Sequence, residues 1–282
     1  MAEDARNTYL PGHKPSQVKH HEWRTIENSC AYLLPVLHEL HTANPSLKLL
    51  DVGAGSGTIT AGLAQLIQPS GHVTATDLSE AILTRARDLM AARGDVDMDR
   101  IAFQQGDAYH LPFPDDTFDV THCHQMLAHL RDPADALREM IRVTRPGGVV
   151  AAREADISTM CAWPADPILL QFHEFTKAMH CSAGGSSTAG RQLLSWALKA
   201  GAKRDQITAS FGARCYSSPE DKKMCAGAMI ERVLRGEMGK KGMELGLIKE
   251  GDAEQFAKAW EDWMNSDDAI HASMNGEVII RK

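Results

Sequence analysis

Three glycines at alternate positions, directly after a short apolar run, constrain this chain more than any other feature. The run Leu47–Val52 leads into Gly53, Gly55 and Gly57, and a helix-forming stretch follows from about Ile59. Glycine lets a backbone turn tightly and lets a ligand approach where a Cβ would stand in the way. A second apolar run, His72–Thr76, is closed by Asp77. Strand, glycine turn, helix, strand and carboxylate in that order describe a unit that brings two strand ends to one ligand.

The alternation continues. Further apolar runs lie at Ile101–Gln104, Phe118–Cys123 and Val149–Arg153, with helical stretches near Glu80–Ala92 and Ala134–Val143 between them. Short apolar strands joined by helix-length crossovers predict an α/β fold, a mainly parallel sheet with helices on both faces. Ser79 resembles a helix N-cap, and Pro146-Gly147-Gly148 ends a helix before the fifth strand. Residues 1–46 are expected as an N-terminal helical segment, with a turn at Tyr9–His13 and a helix from about Gln17 to His41. Residues 47–156 form the expected cofactor-binding core, 157–200 a substrate cap and returning helix, and 201–282 the C-terminal part of the sheet with a helical insertion. Within these, Asp156–Thr188 is expected to be an irregular cap. Helices are expected at Ala189–Ala200, Pro219–Gly236 and Ala253–Asn265, and strands at Gln206–Tyr216 and Glu277–Arg281.

Composition narrows the function classes. With 282 residues and a net charge of −7, the chain lacks the basic excess that a nucleic-acid or anionic-membrane partner usually attracts. No run of 18 apolar residues is present, so a membrane span is not expected. The start is charged and carries no apolar signal segment. Six dispersed cysteines without a CxxC pair fit reduced thiols and a cytoplasmic protein, as a monomer or homodimer.

Two ligand classes fit a glycine turn with a carboxylate on the next strand. A dinucleotide fingerprint counted from Gly53 requires glycine at position 58, which is Thr58, while the glycine falls one residue early at Gly57. A third strand end adds Gly106-Asp107-Ala108, whose carboxylate can accept from an adenine amine.

Together these stretches resemble the class I S-adenosylmethionine-dependent methyltransferases, in the group that includes the ubiquinone/menaquinone-type enzymes. The residues that carry the resemblance are Leu50 to Gly57, Thr76 to Ser79, Gln105 to Ala108, Leu111 to Val120 and Arg142 to Gly148. The resemblance is specific over about residues 47–156 and looser outside them. It implies a Rossmann-like seven-stranded sheet and S-adenosyl-L-methionine as the cofactor. It further implies that Asp51, Gly53, Ala54, Gly55 and Gly57 line the methionine part, Asp77 binds the ribose and Leu78 packs on adenine. Asp107 would meet the adenine amine with Gly106 and Ala108. His124 and Gln125 would face cofactor and substrate, and Tyr9 would close over the cofactor.

The acceptor side is read from side-chain chemistry. His122, His124 and His129 crowd the end of the fourth strand, and alternation puts His122 and His124 on one side with Cys123 on the other. His124, at the strand terminus, is the leading base candidate, with Glu154 and His129 as further catalytic candidates. His-x-His resembles a metal pair, but no nearby carboxylate or cysteine pattern completes it, so no metal is expected. His13, Trp23, Arg24, His129, Asp156, Trp163 and Phe172 are candidate substrate contacts. The expected reaction is methyl transfer to a small, partly apolar metabolite, with oxygen the favoured acceptor and carbon, nitrogen or sulfur as alternatives. The rivals are an NAD(P)-dependent oxidoreductase and a non-catalytic S-adenosylmethionine-binding regulator.

Overall fold

Every residue of Phe118–His124 is buried, as a strand at the centre of a sheet covered on both faces must be. The structure, a computed structural model, describes residues 23–282. Its first half comprises α1 (Ile26–Ser29), α2 (Leu34–Ala43), β1 (Lys48–Val52), α3 (Thr58–Leu66), β2 (His72–Asp77), α4 (Glu80–Arg93), β3 (Ile101–Gln105), β4 (Phe118–His124) and α5 (Pro133–Val143). The second half comprises β5 (Thr144–Trp163), α6 (Pro167–Ser182), α7 (Ala189–Lys199), β6 (Ile207–Tyr216), α8 (Pro219–Leu234), α9 (Glu237–Glu244), α10 (Asp252–Asn265) and β7 (Ile270–Arg281).

The strands form one seven-stranded sheet in the order β3-β2-β1-β4-β5-β7-β6. The first five in that order run parallel, and β7 is antiparallel to both β5 and β6. The chain winds outward from β1 through β2 to β3, then returns to place β4 on the other side of β1. The carboxyl ends of β1 and β4 therefore flank a topological switch point, where open α/β sheets bind ligands.

Alternation along the strands divides the apolar core. Leu49, Val120 and Ala151 pack on one face with residues of α1 to α4, whereas Leu50, Cys123 and Ala152 pack on the other with α5 and α7. A third cluster, built around Phe172, Phe256 and Trp260, holds the cap helices α6, α8 and α10 together.

Several local expectations change. The helix expected up to His41 is broken, because Pro35 lacks the N–H that a helix interior needs and so begins a new helix, α2. β5 runs on from Thr144 to Trp163, far beyond Arg153, because β7 pairs with it over most of that length. The expected irregular cap at Asp156–Thr188 is thus the end of β5 followed by α6, whose N-terminus is capped by the Asp166 side chain. The short helix α9 is an addition, in a stretch whose glycines Gly239 and Gly242 argue against helix by propensity.

Candidate active site

The glycine turn has the conformation its sequence demands. Gly53, Gly55 and Gly57 all take positive φ, a region that L side chains rarely enter. At Gly57 a Cβ would stand 2.3 Å from the end of the Met90 side chain and 3.0 Å from Ala86 Cβ, so a side chain there would crowd α4 as well as strain the backbone. At Gly55 a Cβ would meet nothing within 4 Å, so the turn opens there onto space a ligand can enter. Backbone N–H groups of Gly53 and Ala54 donate to the Thr76 carbonyl at 2.8 and 3.0 Å, tying the turn to the end of β2.

Asp77 closes that end. Its Oδ2 accepts from Gly55 N–H at 3.1 Å and its Oδ1 from Ser79 N–H at 3.0 Å, which fixes the carboxylate at the end of β2. Leu78 beside it is 48% exposed, an apolar surface at the same edge. Gly106 hydrogen-bonds to the Asp77 carbonyl at 3.0 Å, and a Cβ on it would stand 2.6 Å from Thr76 Oγ1. Asp107 follows, its Oδ1 held by Tyr109 N–H at 2.9 Å. A glycine-lined opening, a fixed carboxylate, an exposed apolar side chain and a second carboxylate form an edge that could hold an adenosyl and methionyl ligand.

Asp51 has a different place. It is buried, and its oxygens are taken by Thr60 Oγ1 at 2.6 Å and His122 Nδ1 at 2.8 Å. On the far side of the ring, His122 Nε2 lies 3.4 Å from Cys30 Sγ. Burial works against the charged imidazole, but Cys30 and Asp51 outweigh it and raise the His122 pKa to about 10.

Cys30 was not anticipated as a partner, since it lies 92 positions from His122 in sequence. It joins His122 and His124 in a buried group whose ligand atoms lie within 4.8 Å of one another, a set that can hold a metal ion. The thiol missing from the sequence-based metal reading is thus supplied from between α1 and α2. Arg24, Arg153 and Arg214 all act on His124 electrostatically, which weighs against a further cation there.

His124 ends β4, and both of its ring nitrogens are buried without a hydrogen-bond partner. Burial first, and then the three guanidinium groups, push its pKa well below the usual histidine value, so the imidazole is neutral. Gln125 follows with φ of 51° and donates its N–H to the Arg153 carbonyl at 2.8 Å. Its side chain accepts from Arg24 Nη2 and donates to Asn275 Oδ1 at 3.2 Å. Arg24 thus reaches the end of β4, while Trp23 packs against Tyr216 of β6 at 5.6 Å.

Other candidates lie elsewhere. Register pairs His124 with Arg153, so Glu154 faces the opposite side of the sheet from His124. There Glu154 Oε1 accepts from Met126 and Leu127 N–H at 2.9 and 2.8 Å and holds the turn after β4. Its burial raises its pKa to about 7 despite those bonds. His129 packs against His180 of α6 with tilted rings 4.9 Å apart, and burial followed by that neighbour lowers its pKa to about 3.

Asp156 is fully buried and grips Arg191 of α7 through two bonds of 2.6 and 2.8 Å, a structural clamp in place of the expected substrate contact. Phe172 is enclosed by Phe175, Phe256 and Trp260 in the cap core, so it is not an exposed wall. Trp163 is 56% exposed at the end of β5 and donates to Asp268 at 2.9 Å. Tyr9 and His13 lie outside the described residues.

Comparison with known proteins decides the family. A family model described as a methyltransferase domain matches residues 50–152. An uncharacterized methyltransferase of Schizosaccharomyces pombe is 32% identical over 274 residues, covering 93% of this chain and 92% of that protein. The chain belongs to the class I S-adenosylmethionine-dependent methyltransferases. A ubiquinone/menaquinone biosynthesis C-methyltransferase of Ectopseudomonas mendocina is 32% identical over 136 residues, 48% of this chain and 50% of that one. The YcgJ protein of Bacillus subtilis shares the fold of this methyltransferase with a TM-score of 0.51 at 19% identity, covering 89% of this chain and 99% of that one. A Haemonchus contortus N-methyltransferase shares it with a TM-score of 0.55 at 16% identity, covering 99% and 60%. The cofactor of this methyltransferase is S-adenosylmethionine, and the family sets aside the oxidoreductase and the non-catalytic regulator.

Proposed function

We propose that the chain methylates a small, partly apolar metabolite, with a hydroxyl oxygen as the favoured acceptor. The neutral His124 imidazole carries this proposal. It is buried at the end of β4, beside the glycine turn of β1, with two ring nitrogens that no protein group occupies. A bound S-adenosylmethionine supplies an electrophilic methyl group on a sulfonium. The chain supplies placement and proton handling.

In this proposal Asp77 accepts from the ribose hydroxyls, Leu78 packs on adenine, and Asp107 with the Gly106–Ala108 backbone meets the adenine amine. Gly53 to Gly57 admit the methionyl part, while Asp51 acts through His122 and Thr60 by fixing their positions. An acceptor hydroxyl donates its hydrogen bond to His124, aligned against the methyl group in a space largely closed to water. With S-adenosylmethionine bound, its sulfonium would supply the methyl group to the acceptor oxygen, and His124 would take the hydroxyl proton. Trp23 and Arg24 form the acceptor side of the space. Glu154 and His129 are positioning groups here, one for the turn after β4 and the other for its contact with α6. The reduced, unpaired cysteines support a cytoplasmic location. No helix among the described residues is long and apolar enough to cross a membrane.

Incubation with cofactor carrying a labelled methyl group and a metabolite extract, followed by mass spectrometry, identifies the product. An O-methylated small molecule is expected, and methyl attached to carbon, nitrogen or sulfur would overturn the oxygen preference. On that product, His124→Ala should lower turnover by roughly 100-fold or more while S-adenosylhomocysteine binding is retained. Unchanged turnover would remove His124 from the chemistry.

A further inference from the structure

On the sheet face that carries His124, the cross-strand register builds a charged row. His124 of β4 pairs with Arg153 of β5, Arg153 with Glu277 of β7, and Glu277 with Ser210 of β6. Arg153 Nε donates to Glu277 Oε1 at 3.0 Å, and Ser210 Oγ donates to Glu277 Oε2 at 2.8 Å, so both oxygens of this carboxylate are engaged. Gly212 makes room for the pair, since a Cβ there would stand 2.4 Å from Glu277 Oε1. Above the row, between 23–31 and the β6–β7 edge, lies a cavity of about 290 Å³ whose lining includes Trp23, Ser29, Arg153, Arg214 and Glu277.

Donors that lack acceptors gather in the cavity and beside it: Arg153 and Arg214 line it, and Asn275 is the register partner of the lining residue Gly212. Arg153 Nη1, Arg214 Nε and Nη2, and Asn275 Nδ2 are all buried without a hydrogen-bond partner. Arg153 is only 3% exposed and Asn275 is fully buried. Each buried unsatisfied donor costs about 1–3 kcal/mol, and more when it is charged. A cluster of four such atoms is therefore stable in isolation only at considerable expense, unless a ligand supplies acceptors. Charge points the same way. Arg153 and Arg214 line the cavity with Glu277, whose two oxygens are already used, and with Glu27, which is hydrogen-bonded to the Thr25 side chain, so neither carboxylate supplies the unpaired guanidinium donors with an acceptor. The matching ligand group has several acceptor oxygens and a negative charge.

We infer that this cavity binds the anionic end of the methyl acceptor, a carboxylate or a phosphate, on Arg153 Nη1 and Arg214 Nε and Nη2. The inference rests on the proposed small-molecule acceptor and specifies its class. Planar guanidinium groups suit such oxyanions because they donate two parallel hydrogen bonds. The volume suits one small acid, and Trp23 offers its ring to the apolar body. Because Arg153 is the strand neighbour of His124, an acceptor anchored there presents its hydroxyl at the end of β4. The anion is an anchor and takes no part in bond making.

The test is equilibrium binding to the full chain saturated with S-adenosylhomocysteine, using benzoate, phenyl phosphate and the neutral isostere benzamide as probes. At least one anion should bind roughly tenfold or more tightly than benzamide, a ratio worth about 1.4 kcal/mol. Tighter benzoate identifies a carboxylate site, and tighter phenyl phosphate a phosphate site. Arg214→Met should abolish that preference without changing S-adenosylhomocysteine affinity. Arg153→Lys, which keeps a charge beside Glu277 but loses the fork, should weaken the anion while the protein stays folded by circular dichroism. Equal binding of anions and benzamide, or an anion preference that survives in Arg214→Met, would overturn the inference and leave methyl transfer standing. Failure of the wild-type chain to bind S-adenosylhomocysteine would sink the cofactor site itself, and the acceptor anchor with it.

Discussion

At the scale of single residues, Asp77 and Asp51 show how two similar carboxylates acquire different work. Asp77 is oriented by two backbone N–H groups at the end of β2, whereas Asp51 is bonded by Thr60 and His122. In the proposed site, removing Asp77 removes a charge-assisted interaction with the ribose. Asp77→Ala should weaken S-adenosylhomocysteine binding by about 1.5–3 kcal/mol, roughly ten- to a hundredfold, in calorimetry. An unaltered dissociation constant would show that the carboxylate does not touch the ribose. The Asp77 position was readable in the chain, because an acidic residue closing an apolar run beside a glycine turn can only lie at a strand end. The engagement of Asp51 was not, because its partner His122 comes from a different strand and is brought level with it by the β1–β4 register.

At the scale of elements, β5 and β7 determine where the acceptor groups go. Their antiparallel pairing brings Glu277 opposite Arg153 and Asn275 next to the Gln125 side chain. The helix α7 crosses this ribbon at a contact between glycines. A Cβ on Gly276 would stand 1.9 Å from the Gly190 carbonyl oxygen, and one on Gly190 would stand 2.8 Å from Gly276 N. Gly276→Ala should thus force α7 off the sheet, at about 1–3 kcal/mol or more. The melting temperature should fall by roughly 2–4 °C for each kcal/mol. A thermal scan indistinguishable from wild type would show that α7 can shift without loss. The helix α7 was legible from its periodicity and the Gly201 that follows it. The length of β5 was not, because buried polar residues Glu154 and Asp156 interrupt its apolar pattern and find their hydrogen-bond partners only far along the chain.

At the scale of the whole molecule, burial of neutral histidines couples the fold to pH. His173 and His271 approach to 3.2 Å in the cap core, and burial, followed by Lys177 for the first and His173 for the second, lowers their pKa values to about 4 and about 3. His129 is lowered to about 3 as well. Unfolded, each titrates near about 6.5. The unfolded chain takes up protons first, so the stability these groups contribute is complete above that value and is lost as pH falls through it toward 4 and 3. Glu154, raised to about 7, acts in the opposite sense between 4.5 and 7, one carboxyl against these three imidazoles and the likewise lowered His124 and His180. Denaturant midpoints should therefore drop between pH 6.5 and 5, and His271→Phe should flatten the drop. A midpoint that rises on acidification would contradict the burial of these rings in neutral form.

The chain alone determined the cofactor edge. The turn Gly53–Gly57 requires backbone angles only glycine adopts freely, and Asp77 and Asp107 follow apolar runs of strand length, so local rules suffice to align three strand ends. Tertiary structure decided the acceptor side. Alternation sends Glu154 to one face and Arg153 to the other, and only the sheet order brings Arg153, Glu277, Asn275 and Arg214 together above them, with Cys30 and Arg24 arriving from the N-terminal segment. Those residues are separated by up to 253 positions, from Arg24 to Glu277. No local periodicity encodes such a meeting, because it depends on strand pairing and on the burial that makes each unpaired donor costly.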